Sequence, residues 1–310
     1  MDPQVEGLLQ MMAAQAAAAG APPMTQLPAA VARAGAEQSF AAFNGAMPAD
    51  VTVADRRIPG PAGEIPVKVF TPSGTGPFPL LVYLHGGGWV IGSPATHAQL
   101  TAELAQAGCV VVSVDYRMAP ENPAPASLDD SVAAIRWAVE HAPEINADGS
   151  RLAIGGDSAG GNLTAAACLR LRDEGGPQAK LQLLLYGAFV LDSDTESCIA
   201  NGEGKILTRE TMIWFIGHYL SGGATTDDPY VAPIKGDLAG LPPAHLIVGT
   251  LDPLLDDSKM YAAALEKAGV PVKLSIYQDM PHIFMQLGFV LDGGKKGISE
   301  AQAALKSALG

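Results

Sequence analysis

Apolar and polar positions alternate in two different rhythms along this chain. Short continuous apolar runs occur at Leu80–Leu84, Cys109–Val114, Leu152–Ile154, Leu181–Leu185, His245–Val248 and Val272–Tyr277. Between them lie amphipathic stretches at Ala98–Ala107, Ser127–Glu140, Ala159–Arg172, Ser258–Ala268 and Ser299–Leu309. Short apolar runs that alternate with helical periodicity predict a mainly parallel sheet covered on both faces, joined by right-handed crossovers. Ahead of this, Arg56–Phe70 places Ile65, Val67 and Val69 on one side of a period-two pattern. That pattern predicts a strand pair around a Pro-Gly-Pro-Ala-Gly turn.

Two segments depart from the rhythm. Residues 1–50 are rich in Ala, Met and Pro; Met11–Ala19 reads as a helix and Ala21-Pro22-Pro23 as a break. About 58 residues separate Tyr186 from His245, more than one helix and two loops require. Within them Leu207–Leu220, with Trp214, Phe215 and Tyr219, reads as an apolar helix. The expected organisation is a catalytic domain over residues 51–189 and 232–310. Residues 1–50 and the insertion 190–231 together would form a lid over the sheet's carboxyl edge.

Composition narrows the setting. The chain has 310 residues, 48% hydrophobic and 16% charged, enough apolar material for a large core. Nineteen Lys and Arg against 32 Asp and Glu leave a net charge of −13, which opposes binding to nucleic acid or an anionic bilayer. The strongest apolar run is far short of the roughly 20 residues a spanning helix needs. Cys109 and Cys168 sit in apolar surroundings and read as buried thiols, and three cysteines (Cys198 is the third) give no disulfide framework. No Lys or Arg precedes Arg33, so a cytoplasmic enzyme is expected.

The chemistry is concentrated at turns that follow strands. Gly156-Asp157-Ser158-Ala159-Gly160 stands between a strand and a helix, where a serine on a tight turn is exposed beside a helix N-terminus. A serine nucleophile needs a base, and the base needs an orienting acid, in the order serine, acid, histidine for this kind of turn. Of the histidines that follow Ser158, His218 belongs to the inserted helix and His245 opens a strand. His282 follows the last strand and suits a base. Asp252 leaves the preceding strand and is held extended by Pro253; Asp256 and Asp257 read instead as caps of the next helix. His85-Gly86-Gly87-Gly88-Trp89 follows the strand at Leu80–Leu84 and can present backbone donors to a developing oxyanion. Gly87, Gly88 and Ala159 are the expected donors, with Gly86 also a candidate, and His85 reads as structural. No metal-ligand motif is present, and no cofactor is expected.

Together these motifs resemble the hormone-sensitive lipase family of α/β-hydrolase carboxylesterases, in its bacterial branch with a Gly-Asp-Ser-Ala-Gly elbow. Asp115-Tyr116-Arg117-Met118-Ala119-Pro120-Glu121, the stretch from Pro125-Ala126 to Asp129-Asp130, and Asp252-Pro253-Leu254-Leu255-Asp256-Asp257 carry the resemblance further, over roughly residues 79–285. It implies a Ser158–His282–Asp252 triad, a composite cap, a homodimer through the last strand and helix, and hydrolysis of short- to medium-chain esters without cofactor. A related amidase, lactonase or acyltransferase, or a non-catalytic small-molecule receptor on the same scaffold, is the alternative. The chain departs from the family pattern at Met118, at Gly187 after Tyr186, and at Ile283, where Gly usually follows the histidine. Ile283 is expected to narrow the space beside the base. Trp89, Leu207, Trp214 and Phe215 are expected around the substrate. Asp192, Asp194, Glu196 and Glu203 should form an acidic rim that disfavours anionic esters.

Overall fold

Eight strands form one sheet in the order β1-β2-β4-β3-β5-β6-β7-β8 in the computed structural model, which describes residues 1–20, 22–43 and 45–310. The strands are β1 (Val51–Gly60), β2 (Gly63–Pro72), β3 (Phe78–Leu84), β4 (Val110–Val114), β5 (Ala147–Asp157), β6 (Leu181–Leu185), β7 (Ala244–Leu251) and β8 (Val272–Pro281). The hairpin β1–β2 pairs antiparallel, and β2 pairs antiparallel with β4; every pair from β4 to β8 is parallel.

Side-chain alternation along β3 shows why the sheet must be covered twice. Leu80, Val82 and Leu84 enter one core, and Leu81 and Tyr83 enter the other. Because neighbouring positions point to opposite faces, a strand apolar at every position needs an apolar layer on each side. The first core takes Leu128 from α4 (Ala126–Glu140), Leu163 from α5 (Ala159–Asp173) and Leu265 from α8 (Leu255–Lys267). The second takes Leu100 and Leu104 from α3 (Ala98–Ala105) and Leu305 from α9 (Asp292–Leu309).

β5, β7 and β8 extend past the carboxyl ends of their apolar runs. β5 begins at Ala147 in a polar stretch with a register shift opposite Pro79 and Leu80. β8 continues to Pro281 as an edge strand whose residues alternate in exposure, so few of its positions need be apolar. Their carboxyl ends bring residues 157–158, 252 and 282 to the same edge of the sheet.

The N-terminal segment crosses that edge. The helix α1 (Pro3–Ala19) buries Val5 and Leu8 in the second core, with Phe284, Leu287 and Leu291. The expected break lies partly on Ala21, outside the described residues. Thr25 Oγ1 donates to Glu210 Oε1 at 2.6 Å, joining this segment to α7 (Arg209–Tyr219). Arg33, on α2 (Ala29–Phe43), donates to the carbonyls of Val90 and Ala119 and pairs with Glu121. The interval after β6 holds, besides α7, a short helix α6 (Glu196–Asn201) that the apolar pattern does not reveal.

Candidate active site

Ser158 sits where β5 turns into α5, with φ +54° and ψ −118°. L-residues rarely occupy that region, and it persists only where neighbours enforce it. Small residues make the enforcement possible: a Cβ on Gly160 would overlap the Leu84 carbonyl oxygen, and one on Gly156 would overlap that same oxygen and the Gly160 carbonyl oxygen. The Ser158 amide donates to the Leu185 carbonyl at 2.9 Å, tying the turn to β6.

The Ser158 hydroxyl meets His282 Nε2 at 3.0 Å, and His282 Nδ1 meets Asp252 Oδ2 at 2.8 Å. Donation from Oγ to Nε2 and from Nδ1–H to the carboxylate satisfies both contacts. His282 and Asp252 are buried, and Tyr186 packs in a T-shaped contact with the imidazole at a centroid distance of 5.1 Å. Asp252 Oδ1 accepts the Leu254 amide at 2.8 Å, while Asn201 Nδ2 donates to the carbonyls of Thr250 and Asp252. The two rival acids are not helix caps as the sequence suggested, because α8 starts at Leu255 and already contains both. Asp256 accepts the Ser197 amide instead, and buried Asp257 accepts the amides of Phe189 and Val190 at 2.8 Å each. These acids moor the start of the insertion to the turn that carries Asp252. Burial pushes the Asp257 carboxyl up to about 7 despite its two backbone donors.

The glycine loop after β3 divides by role. The Gly86 amide donates to Asp157 Oδ1 at 2.9 Å, so it is engaged and not available as a free donor as expected. The amides of Gly87 and Gly88 make no hydrogen bond within the described residues; these glycines take φ of +118° and +58°, and both face the same cavity as Ser158 and Ala159. His85 stacks on Tyr116 at 4.3 Å, and its Nδ1–H donates to the Gly86 carbonyl at 2.8 Å, as a structural residue should. Burial, with His97 nearby, lowers the His85 imidazole to about 3, so this ring stays neutral.

Asp157, Tyr83 and His97 form a buried group that sequence reasoning passed over. Asp157 accepts from Tyr83 Oη at 2.7 Å, from the Gly86 amide, and from His97 Nε2 at 3.2 Å. Burial pushes its carboxyl upward, but His97 and the other donors outweigh that and hold it below the usual carboxylate range. The available signal was Asp157 itself, an acid placed beside the serine.

A cavity of about 130 Å³ opens over these groups. Trp89, Leu207, Phe215 and Ile283 line it as expected, and Met24 and Phe40 from the N-terminal segment join them. Trp214 does not. Thr211, Met212, Phe215 and Ile216 share the cavity-facing side of α7, and one residue's rotation of about 100° carries Trp214 off it. It packs edge-on against His218 at 4.5 Å. Nor do Asp192, Asp194, Glu196 or Glu203 line the cavity; Asp194 pairs with Arg209. Among the described residues, no group of three or more His, Cys, Asp or Glu side chains could hold a metal ion.

Residues 81–286 match a family model described as an alpha/beta hydrolase fold. The chain is 44% identical over 268 residues to the carboxylic ester hydrolase LipN of Mycobacterium tuberculosis, covering 84% of this chain and 71% of that one. It is 33% identical over 318 residues to an ethyl acetate hydrolase of Pseudomonas putida, covering 100% of this chain and 99% of the other. The solved structure of the ester-hydrolase EH1AB1, from the metagenome of Lake Arreo, superposes with a TM-score of 0.94 at 36% identity, over 98% of each chain.

Proposed function

Since the chain belongs to the hormone-sensitive lipase family of α/β-hydrolases and is a carboxylic ester hydrolase, we propose that it cleaves esters through an acyl-enzyme on Ser158. His282 takes the Ser158 proton as Oγ attacks the ester carbonyl, and then gives it to the leaving alcohol. Asp252 holds the imidazole in the tautomer with the proton on Nδ1 and stabilises the imidazolium. The amides of Gly87, Gly88 and Ala159 receive the oxyanion. Water, activated by the same histidine, releases the acid. The observation that carries this reading is the unbroken contact from Ser158 through His282 to buried Asp252.

The substrates we propose are short- to medium-chain, uncharged esters. A cavity of about 130 Å³ walled mainly by apolar side chains favours a small acyl group and would leave a charged one unpaired. Residues 1–50 and 190–231 serve as a cap: Met24, Phe40, Leu207 and Phe215 from these two segments reach the cavity, and Thr25 and Glu210 link them. The exposed edge of β8, where Ile276 faces outward, fits a homodimer, which sedimentation tests. Among the described residues no helix is long and apolar enough to cross a membrane. Three unpaired, buried cysteines fit a reducing compartment such as the cytoplasm. Replacing Ser158 by Ala tests the whole reading. Turnover of p-nitrophenyl butyrate should disappear, and near-wild-type turnover would overturn it.

A further inference from the structure

Ile283 directly follows His282 and takes φ +57°. A β-branched side chain is disfavoured there because its Cβ crowds the neighbouring carbonyl oxygen. Seven non-glycine residues among those described have positive φ, and Trp89, Ser158, Leu191 and Ile283 among them line the cavity. Strain of this kind gathers at working sites, where the surroundings enforce it. Ser158 needs its conformation to project the hydroxyl. The Ile283 side chain has no part in the proton transfers, so its place on a costly backbone calls for another reason.

A second, smaller cavity supplies one. It holds about 10 Å³ and is bounded on its far side by Leu100 of α3 and by Leu287. Phe40, His97, Ile283 and Gln286 line both this cavity and the main one, so these four side chains form the wall between them. His97 is committed to Asp157 in that wall. Ile283 contributes a half-buried aliphatic group, set beside the base and backed by apolar surface on the far side.

We propose that Ile283 is a specificity-determining residue whose sec-butyl group closes the main cavity against the one beneath α3, and so limits the length of alkyl chain the site accepts. This inference rests on the ester-hydrolase reading. Without the group the two cavities merge along a path between Phe40 and Gln286 toward Leu100, and further methylenes of a linear ester leave water there.

The test uses two substrate series with the Ile283→Gly and Ile283→Ala enzymes. p-Nitrophenyl esters from acetate to decanoate lengthen the acyl side, and alkyl acetates from ethyl to octyl lengthen the alcohol side. In one series the ratio of kcat/KM for the longest chain to that for the shortest should rise about tenfold over wild type, as a few methylenes become buried. The series that responds shows which half of the ester lies on this path. Adding Leu100→Phe to the Ile283→Gly enzyme should refill the space and return the ratio to the wild-type value. No shift in either series with both single variants folded, or a gain that survives Leu100→Phe, overturns the inference. Loss of all hydrolysis in Ser158→Ala shows that the esterase reading stands; hydrolysis that survives Ser158→Ala shows that the esterase reading itself has failed.

Discussion

The Phe215 ring rests directly on Gly88: a Cβ placed on that glycine would overlap Cγ and both Cδ atoms of the ring. A helix of the insertion therefore fixes the loop that presents the Gly88 amide. The substitution Gly88→Ala must either displace the ring or shift the loop, and φ +58° opposes it as well. Losing one oxyanion donor typically costs about 10²–10³ in rate. A fall in kcat of that order is expected for Gly88→Ala on p-nitrophenyl acetate. Removing the ring in Gly88→Ala/Phe215→Ala should restore part of it, since the steric conflict goes and the backbone strain remains. Wild-type kcat in Gly88→Ala would remove this loop from the mechanism.

Asp252 and Asp256 lie four residues apart, and only one of them touches the imidazole. In Asp252→Asn the amide can still accept the Leu254 amide but presents N–H to Nδ1, which favours the wrong tautomer. A loss in kcat of about 10⁴ is expected, with the fold kept. Asp256→Asn should stay within a few-fold of wild type. Equal losses in both variants, measured by stopped assays on one ester, would mean that the acid has been misassigned.

The turns Gly156–Gly160 and His85–Trp89, with Asp252 and His282, were legible because each follows an apolar run, and chain order fixes which strand end carries which group. The sheet was legible for the same reason, since β3, β4, β6 and β7 are apolar through most of their length. Strand ends were not: β8 is an edge strand with exposed polar positions, and β5 starts in a polar stretch. An apolar helix gives no sign of which face it buries, so the sequence does not separate Trp214 from Phe215 at the cavity. Only sequence proximity puts the acids of the insertion at the rim, whereas in the structure Asp194 pairs with Arg209. Gly86 read as a donor because three glycines in a row look alike; only the position of Asp157 separates them. Met24 and Phe40 reach the cavity from far along the chain, and no local pattern announces them.

Asp157 gathers Tyr83, His97 and the Gly86 amide beneath the loop that Phe215 covers from above. Its carboxyl is held low in the folded protein, so its contribution to stability is full above the unfolded value near 4 and is lost as pH falls through the lower folded value. In Asp157→Asn the oxygen can keep Tyr83 and Gly86, but the amide nitrogen opposes His97 Nε2. A cost of about 1–3 kcal/mol at pH 7 is expected from urea unfolding, together with a drop in kcat as Gly86 loosens. The difference between variant and wild type should shrink below pH 4. A constant difference from pH 3 to pH 7 would show that the charge of Asp157 contributes nothing.

Asp257 should give the opposite pH dependence. Its Oδ1 accepts two amides, its Oδ2 has no hydrogen-bond partner among the described residues, and burial, reinforced by Asp252, brings its carboxyl to about 7. The folded state therefore favours the protonated acid. Its contribution is whole below the unfolded value near 4 and is progressively lost as pH rises through about 7. A shift from near 4 to about 7 corresponds to a loss of up to about 4 kcal/mol on the alkaline side. Asn at this position can accept the same two amides through its oxygen and has no charge to lose. Asp257→Asn should match wild type near pH 4 and exceed it by a few kcal/mol at pH 8.5 in urea unfolding. The insertion would then stay moored through Phe189 and Val190 at a pH where the wild-type carboxylate is strained by its burial. If the two proteins have parallel stability curves from pH 4 to pH 8.5, Asp257 is already ionised in the folded enzyme at acidic pH, and burial does not govern it.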